Sequence, residues 1–233
     1  MLYKKTVDPE TLGLIQSLML EQTLSSFYLA GGTALALKLG HRKSIDIDLF
    51  THSNFDVDFL SHYLEGKFDA EVEQTAKNTI HGYIKKVKVD LIAHQYPLIK
   101  EIETIDGVRM LSLHDIAAMK LLAINDNGSR IKDFVDIGAL LDKLSLGEML
   151  EAYQKKYPNA DENIVLRSLT YFENIDLRTE TLIQTQRPFE WKQIAKKLTE
   201  AVQKHREGRH VTLSKPRQYP PLENKGKSKG LRR

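Results

Sequence analysis

The sequence predicts an α+β protein: a mixed sheet in the first half of the chain, then a helical C-terminal lobe. Two observations carry this. Up to residue 111, short apolar runs of strand length alternate with glycine and polar turns. From Ser112 onward, apolar residues recur at helical spacing between capping residues. The reading divides the chain into a core over residues 1–111, a helical lobe over 112–210 and a basic tail over 211–233.

The elements follow in order. Asp8-Pro9-Glu10 opens a helix, with Asp as N-cap and Pro at the first position, and Leu12, Ile15, Leu18 and Met19 form its apolar stripe. Residues 27–30 and 45–50 read as strands joined by a short helix over 33–39, which Gly40 closes as a C-cap. In the second strand Ile45, Ile47 and Leu49 alternate toward a core, which puts Asp46 and Asp48 together on the other face. Residues 55–67 read as a helix and 70–74 as a strand. Residues 83–93 read as a longer strand, with Val87, Val89 and Leu91 alternating with Lys86, Lys88 and Asp90. Residues 102–111 form a hairpin turning at Asp106-Gly107.

Ser112 and Asp115 make a start resembling a capping box for a helix over 113–124. After the loop Asn125-Asp126-Asn127-Gly128, a second helix spans 130–143. Ser145 and Glu148 cap a third, carrying Met149, Ala152 and Tyr153 and broken by Pro158-Asn159, and residues 164–172 are a fourth. Pro188 opens a fifth, with Trp191, Ile194, Leu198 and Val202 on one face and Gly208 after it. Past Val211 the prolines and glycines argue against regular structure. There is no internal repeat.

Composition narrows the function classes. With 233 residues, 41% hydrophobic and 28% charged, the chain is an ordinary globular sequence able to bury a core. It has no cysteine, which excludes disulfides and zinc–thiolate sites and fits a reducing cytoplasm. No apolar run follows Met1-Leu2-Tyr3-Lys4-Lys5, so no signal peptide is expected. The longest apolar stretch, residues 27–37, is too short to span a bilayer. The eight histidines have no metal-ligand spacing, and there is no Ser-His-Asp set or Walker-type loop. The net charge of +3 conceals an asymmetry: residues 215–233 carry seven Lys/Arg against one Glu, net +6, and residues 1–214 sum to −3. A basic end of this kind is a solvated tail or a contact for nucleic acid or an acidic partner.

The chemistry concentrates in residues 27–50. Asp46 and Asp48 on one strand face repel each other, and two aspartates in a short strand work against β propensity. A hard divalent cation such as Mg²⁺, bound through carboxylates, waters and phosphate oxygens, compensates. Upstream, Gly31-Gly32-Thr33 opens a helix whose bare amides can approach a phosphate. Arg42 and Ser44 flank the pair. Asp90 on a neighbouring strand is a third carboxylate or a solvent-facing edge residue. Lys120, among Met119, Leu121 and Leu122, is a phosphate-side cation or a lysine snorkelling from a core helix. Lys132 and Asp136 stand at i and i+4, a spacing that alone explains a pair, and Asp133 near a helix start is favourable in itself.

Taken together, these motifs resemble the AbiEii/AbiGii toxin family of nucleotidyltransferases, within the DNA-polymerase-β-like superfamily. A Gly-Gly-Thr/Ser turn, a helix and an Asp-x-Asp strand stand here as Gly31-Gly32-Thr33 and Asp46-Ile47-Asp48, with His41-Arg42 and Ser44 between. Asp-x-Asp by itself also occurs in many glycosyltransferases; the combination is the specific signal. The family's Lys-then-Asp at five positions is matched by Lys85 and Asp90, its Asp-then-Lys by Asp115 and Lys120, and its basic residue followed by Asp-x-x-Asp by Lys132-Asp133-Phe134-Val135-Asp136.

The resemblance implies a polymerase-β-like core and transfer of a nucleoside monophosphate from ATP, GTP or CTP to an acceptor hydroxyl, releasing pyrophosphate. Asp46, Asp48 and Asp90 would be catalytic and hold two Mg²⁺ ions (or Mn²⁺). Lys120 would neutralise the leaving group, and Gly31, Gly32, Thr33, Arg42, Ser44, Lys132, Asp133 and Asp136 would bind the nucleotide. Implied partners are an NTP, an RNA acceptor such as the 3′ end of tRNA, and a cognate antitoxin in a toxin–antitoxin or phage-defence system, with no membrane. The alternatives are transfer to a small molecule or a protein, and a non-catalytic module that acts by occupying a nucleotide or a partner.

Overall fold

The computed structural model describes residues 1–175, 177 and 190–213. Pro188 and the chain beyond Leu213 lie outside the described residues, and with them nearly all of the basic tail.

Seven strands form one mixed sheet. They are β1 (Tyr28–Leu29), β2 (Ile47–Thr51), β3 (Glu71–Ala76), β4 (Thr79–Ile84), β5 (Val87–Ala93), β6 (Glu103–Ile105) and β7 (Val108–Met110), in the spatial order β3-β4-β5-β2-β1-β7-β6. The pairs β2/β5 and β1/β7 are parallel and the rest antiparallel. The helices are α1 (Pro9–Leu20), α2 (Gly31–Leu39), α3 (Val57–Phe68), α4 (Leu113–Asp126), α5 (Ile131–Leu140), α6 (Leu146–Lys156), α7 (Glu162–Ser168) and α8 (Trp191–Leu213).

Local chemistry explains most boundaries. Asp8 caps α1 through Glu10 N–H, Gly40 ends α2 at φ +72°, Ser112 caps α4 through Asp115 N–H, and Ser145 with Glu148 forms a complete capping box on α6. The β6/β7 hairpin turns at Asp106 and Gly107, both at positive φ. Helix α8 buries Leu198 and Val202 and stacks Trp191 edge-on against Phe134 and Phe172. Helix α4 packs on α2, α5, α6 and α7, so the helical lobe rests directly on the element that carries the glycine turn.

The structure corrects four sequence expectations. Residues 83–93 are not one strand: β4 and β5 form a tight hairpin at Lys85 and Lys86, with φ of +50° and +66°. That turn type normally carries Asn-Gly, so two lysines gave no signal for it. Strand β2 begins at Ile47, leaving Asp46 in the preceding loop and Ile45 64% exposed rather than in the core. Helix α2 starts at Gly31, two residues earlier than expected. Gly208 lies inside α8, which continues through Val211 to Leu213.

Candidate active site

The site is built where β2, the start of α2 and the first turns of α4 and α5 meet. Strand β2 alternates buried Ile47, Leu49 and Thr51 with half-buried Asp48 and Phe50, so one face serves the core and the other faces the cleft. Asp48 stands in parallel register with Asp90 on β5, and Asp90 lies opposite His81 on β4. Burial, then the Asp90 carboxylate beside it, pushes the Asp48 carboxyl up to about 6.

The glycine turn is shaped around these groups. Gly31 sits at φ +64°, and a Cβ there would overlap Asp48 Oδ2. A Cβ on Gly32 would overlap Arg42 Nη2. Ala30, the N-cap of α2, offers no side-chain cap, and no acidic residue occupies the first turn. The leading amides of α2 therefore form an uncapped, electropositive helix start against Asp48.

Thr33 is buried, and its hydroxyl contacts Ser44 Oγ at 2.9 Å and donates to the Asp46 carbonyl. The Thr33 side chain thus fixes the loop carrying Asp46, and its backbone amide is the group left to meet a ligand.

Behind the turn lies a buried charge node that sequence separation hides. Asp136 is fully buried and accepts hydrogen bonds from Arg42 Nε (2.7 Å) and Nη2 (2.9 Å). Its Oδ1 also lies 2.8 Å from His41 Nε2, and its Oδ2 is 2.8 Å from Lys120 Nζ. Lys120 donates in addition to Asp133 at 2.6 Å. Burial alone would raise the Asp136 carboxyl, but Arg42 and Lys120 outweigh it and hold it well below the usual carboxylate range. Both Asp136 carboxylate oxygens are thus engaged in orienting Arg42, His41 and Lys120. Asp136 turns to them rather than to Lys132, so the i, i+4 pairing is not formed. Arg42 is 4% exposed and matched by Asp136, so it braces Gly32 instead of standing free for a triphosphate.

Asp90 is also engaged. Its Oδ2 accepts from Lys88 Nζ at 3.0 Å, and Oδ1 lies 2.9 Å from His81 Nδ1 yet has no hydrogen-bond partner. Lys85 lies on the exposed hairpin turn, and it is Lys88 that pairs with Asp90. Among the described residues no three His, Asp or Glu side chains converge as a metal-binding group, so Asp46, Asp48 and Asp90 do not form a closed triad. Asp46 and Asp48 remain a two-carboxylate donor set at the cleft, which fits a hard cation that keeps waters and takes phosphate oxygens.

The cleft has a volume of about 430 Å³, and its lining includes Gly31, Gly32, Arg42, Ser44, Asp46, Asp48, Lys120, Lys132 and Asp133. Thr33, Asp90 and Asp136, all expected at the site, adjoin it without being part of this lining: Thr33 follows Gly32, Asp90 is in register beside Asp48, and Asp136 is bonded to Arg42. Sequence reasoning missed Lys43, Phe50, Met119 and Arg130, which also line the cleft. Lys43 and Lys132 are exposed and have no ion-pair partner among the described residues. Ser112 caps α4 through the Asp115 amide, but the Asp115 carboxylate, expected to cap, instead accepts from Ser112 Oγ at 2.6 Å and turns away from the helix start. Asp115 is fully buried, accepts from the amides of Ile99 and Lys100, and pairs with buried Lys156 at 2.8 Å.

Comparison with known proteins agrees with this architecture. A protein of Aquifex aeolicus (strain VF5), aq_aa25, is 36% identical over 156 residues, 64% of this chain and 75% of that one. The crystal structure of JHP933 from Helicobacter pylori superimposes with a TM-score of 0.59 at 16% identity, covering 89% of this chain and 97% of that one. A second H. pylori structure gives a TM-score of 0.55 at 16% identity over 88% and 98% of the two chains. Residues 14–217 match the family described as "Nucleotidyl transferase AbiEii toxin, Type IV TA system", and the chain belongs to that family of nucleotidyltransferases.

Proposed function

We propose that this cleft transfers a nucleoside monophosphate from an NTP to an acceptor hydroxyl, with a divalent cation held by Asp46 and Asp48. The observation that carries the proposal is the juxtaposition of Asp48 with the uncapped start of α2, imposed by the missing side chain of Gly31. A carboxylate pushed up to about 6 by burial and a neighbouring carboxylate is a site that gains from a cation. When bound, a divalent cation held by Asp46 and Asp48 would offset the charge developing in phosphoryl transfer.

The protein's own groups do the positioning. The amides of Gly31, Gly32 and Thr33 and the free ammonium groups of Lys43 and Lys132 receive the polyphosphate. Asp90, in register beside Asp48, takes the proton of the attacking hydroxyl as the new oxygen–phosphorus bond forms and the bond to pyrophosphate breaks. Lys120 sits behind the phosphates and, with Asp133 and Asp136, sets the local field more than it supplies free charge. The rate advantage in this scheme is orientation and electrostatics.

The family description supports a role as the toxin of a type IV toxin–antitoxin pair, with an antitoxin as partner. An RNA acceptor, the tRNA 3′ end included, is the acceptor we favour, because the basic segment over 215–233 suits phosphate contacts. The test is an incubation of purified protein with Mg²⁺, each α-labelled NTP and total cellular RNA, resolving products by size. Label on tRNA-sized RNA supports the full reading, and label on a small product moves the acceptor. Label that never leaves the NTP defeats the transfer reading. Growth arrest that survives Asp46→Ala with Asp48→Ala favours a module that acts by occupancy.

A further inference from the structure

The cleft lining combines charged side chains, among them Asp46, Asp48, Lys43 and Lys132, with apolar ones: Phe50 on the sheet side and Ile116, Met119 and Ala123 on the helix side. Both apolar sides follow from periodicity. Phe50 is two residues past Asp48 and so shares its face of β2. Ile116, Met119 and Ala123 stand at i, i+3 and i+7 on α4 and present one stripe.

Neither Phe50 nor Met119 is fully buried, although both pack against the core. Their exposed parts face the cleft. The Phe50 ring is held from one side by His94, with ring centroids 5.6 Å apart and planes inclined at 34°. His94 is itself fixed by a backbone bond to Thr51 and a contact with Tyr157 OH at 3.2 Å. A pre-set aromatic ring and a thioether lining the same cleft as the carboxylate pair are the chemistry that takes a flat apolar-faced group.

We infer that Phe50 and Met119 form a nucleobase slot, in which the base of the bound NTP stacks on the Phe50 ring while its phosphates lie toward Asp48. This rests on the reading of the cleft as an NTP site and adds the residues that grip the base. Phe50, Ile116, Met119 and Ala123 carry no strong side-chain hydrogen-bond donor or acceptor, and the Lys120 ammonium on the same α4 stripe is taken up by Asp133 and Asp136, so the grip is on the faces of the base.

Equilibrium binding separates the two claims. Titration calorimetry is run with each of the four NTPs and with inorganic tripolyphosphate, which has no base, on the wild type, Phe50→Ala, Phe50→Leu and Met119→Ala. The tightest-binding NTP should lose about tenfold or more in affinity on Phe50→Ala and less on Met119→Ala, with tripolyphosphate unchanged. Equal losses for the NTP and tripolyphosphate, or no loss for either, overturn the slot. Phe50→Leu keeps the apolar volume, so full NTP affinity in that variant overturns stacking. A wild type that binds tripolyphosphate but gains nothing from any base overturns the slot while leaving the phosphate end standing. A wild type that binds neither overturns the NTP reading itself, and the slot with it.

Discussion

Gly31 and Asp48 are packed so closely that the glycine has no room for even a methyl group: a Cβ would overlap the carboxylate oxygen Oδ2. The contact is doubly specified, because Gly31 also sits at φ +64°, where an L side chain is strained. Gly31→Ala should therefore lower stability by about 1–2 kcal/mol through the backbone alone. It should also swing the Asp48 carboxylate off the start of α2. Urea unfolding reads the first effect, and Mn²⁺ binding followed by electron paramagnetic resonance reads the second. Unchanged Mn²⁺ affinity in a folded Gly31→Ala protein would contradict the proposed geometry.

The Asp48 carboxyl is raised to about 6, so the folded protein holds its proton more tightly than the unfolded chain does. The stability this group contributes is present below about pH 4, and it is lost as pH climbs to 6. Asp48→Asn should thus stabilise the metal-free protein by about 1–3 kcal/mol above pH 6, with the gain fading toward pH 4. The same substitution should abolish nucleotidyl transfer. Adding Mg²⁺ should raise the melting temperature of the wild type at pH 7 and not that of the variant. Calorimetric melts at pH 4, 5, 6 and 7, with and without Mg²⁺, check all three outcomes.

Asp136 behaves in the opposite sense. Its carboxyl is held well below the usual range because Arg42 and Lys120 outweigh its burial, so its stabilising contribution exists above about pH 4 and is lost as pH falls below that. Asp136→Asn keeps the shape but leaves two buried cations short of charge, at a cost of about 3–5 kcal/mol. Denaturant midpoints at pH 7 should show that loss, and the difference from wild type should shrink at strongly acidic pH.

The sequence disclosed what short range decides. Asp8, Gly40, Ser112 and Ser145 each act on amides or carbonyls within four residues, and each boundary is where capping chemistry puts it. The Gly-Gly-Thr turn was likewise visible because it acts locally, whereas the alternation read into Asp46 and Asp48 missed that the strand starts only at Ile47. What stayed hidden is long range. Arg42 and Asp136 are 94 residues apart, and Asp115 and Lys156 are 41 apart, and nothing in a linear pattern tells a cation that binds phosphate from one already matched inside the fold. The Lys85-Lys86 turn was hidden for a different reason: lysine at positive φ is held there by the pairing of the flanking strands, against its own preference.

The Asp115–Lys156 pair gives a control for the site. Both side chains are buried, and the Lys156 ammonium also donates to the Pro97 carbonyl at 2.8 Å, which ties α4 and α6 to the segment after β5. Lys156→Met should cost about 3–5 kcal/mol by stranding the Asp115 charge. Neither residue lines the cleft, so NTP affinity measured below the melting transition should stay at the wild-type value. A large affinity loss in the folded variant would mean that the segment around Pro97 shapes the site.

Four of the cations of the cleft divide into two groups with opposite expected phenotypes; the fifth, Arg130, is exposed yet paired with Asp133. Arg42 and Lys120 are buried and matched by Asp136 and Asp133, so removing either strands a carboxylate and should register first as lost stability. Lys43 and Lys132 are exposed and carry no ion pair among the described residues, so removing them should leave the melting temperature within a degree or two. Their loss should instead weaken NTP and tripolyphosphate binding together, by about three- to tenfold for each lysine, since a charged hydrogen bond to phosphate is given up. Raising ionic strength should erode wild-type affinity and have less effect on the double variant, because exposed charges are the ones that salt screens. Lys43→Ala and Lys132→Ala titrated against tripolyphosphate at low and high salt, beside melts of Arg42→Ala and Lys120→Ala, test the division. If Lys120→Ala keeps its melting temperature and loses phosphate affinity, its ammonium is the phosphate contact and the buried node is not what holds it.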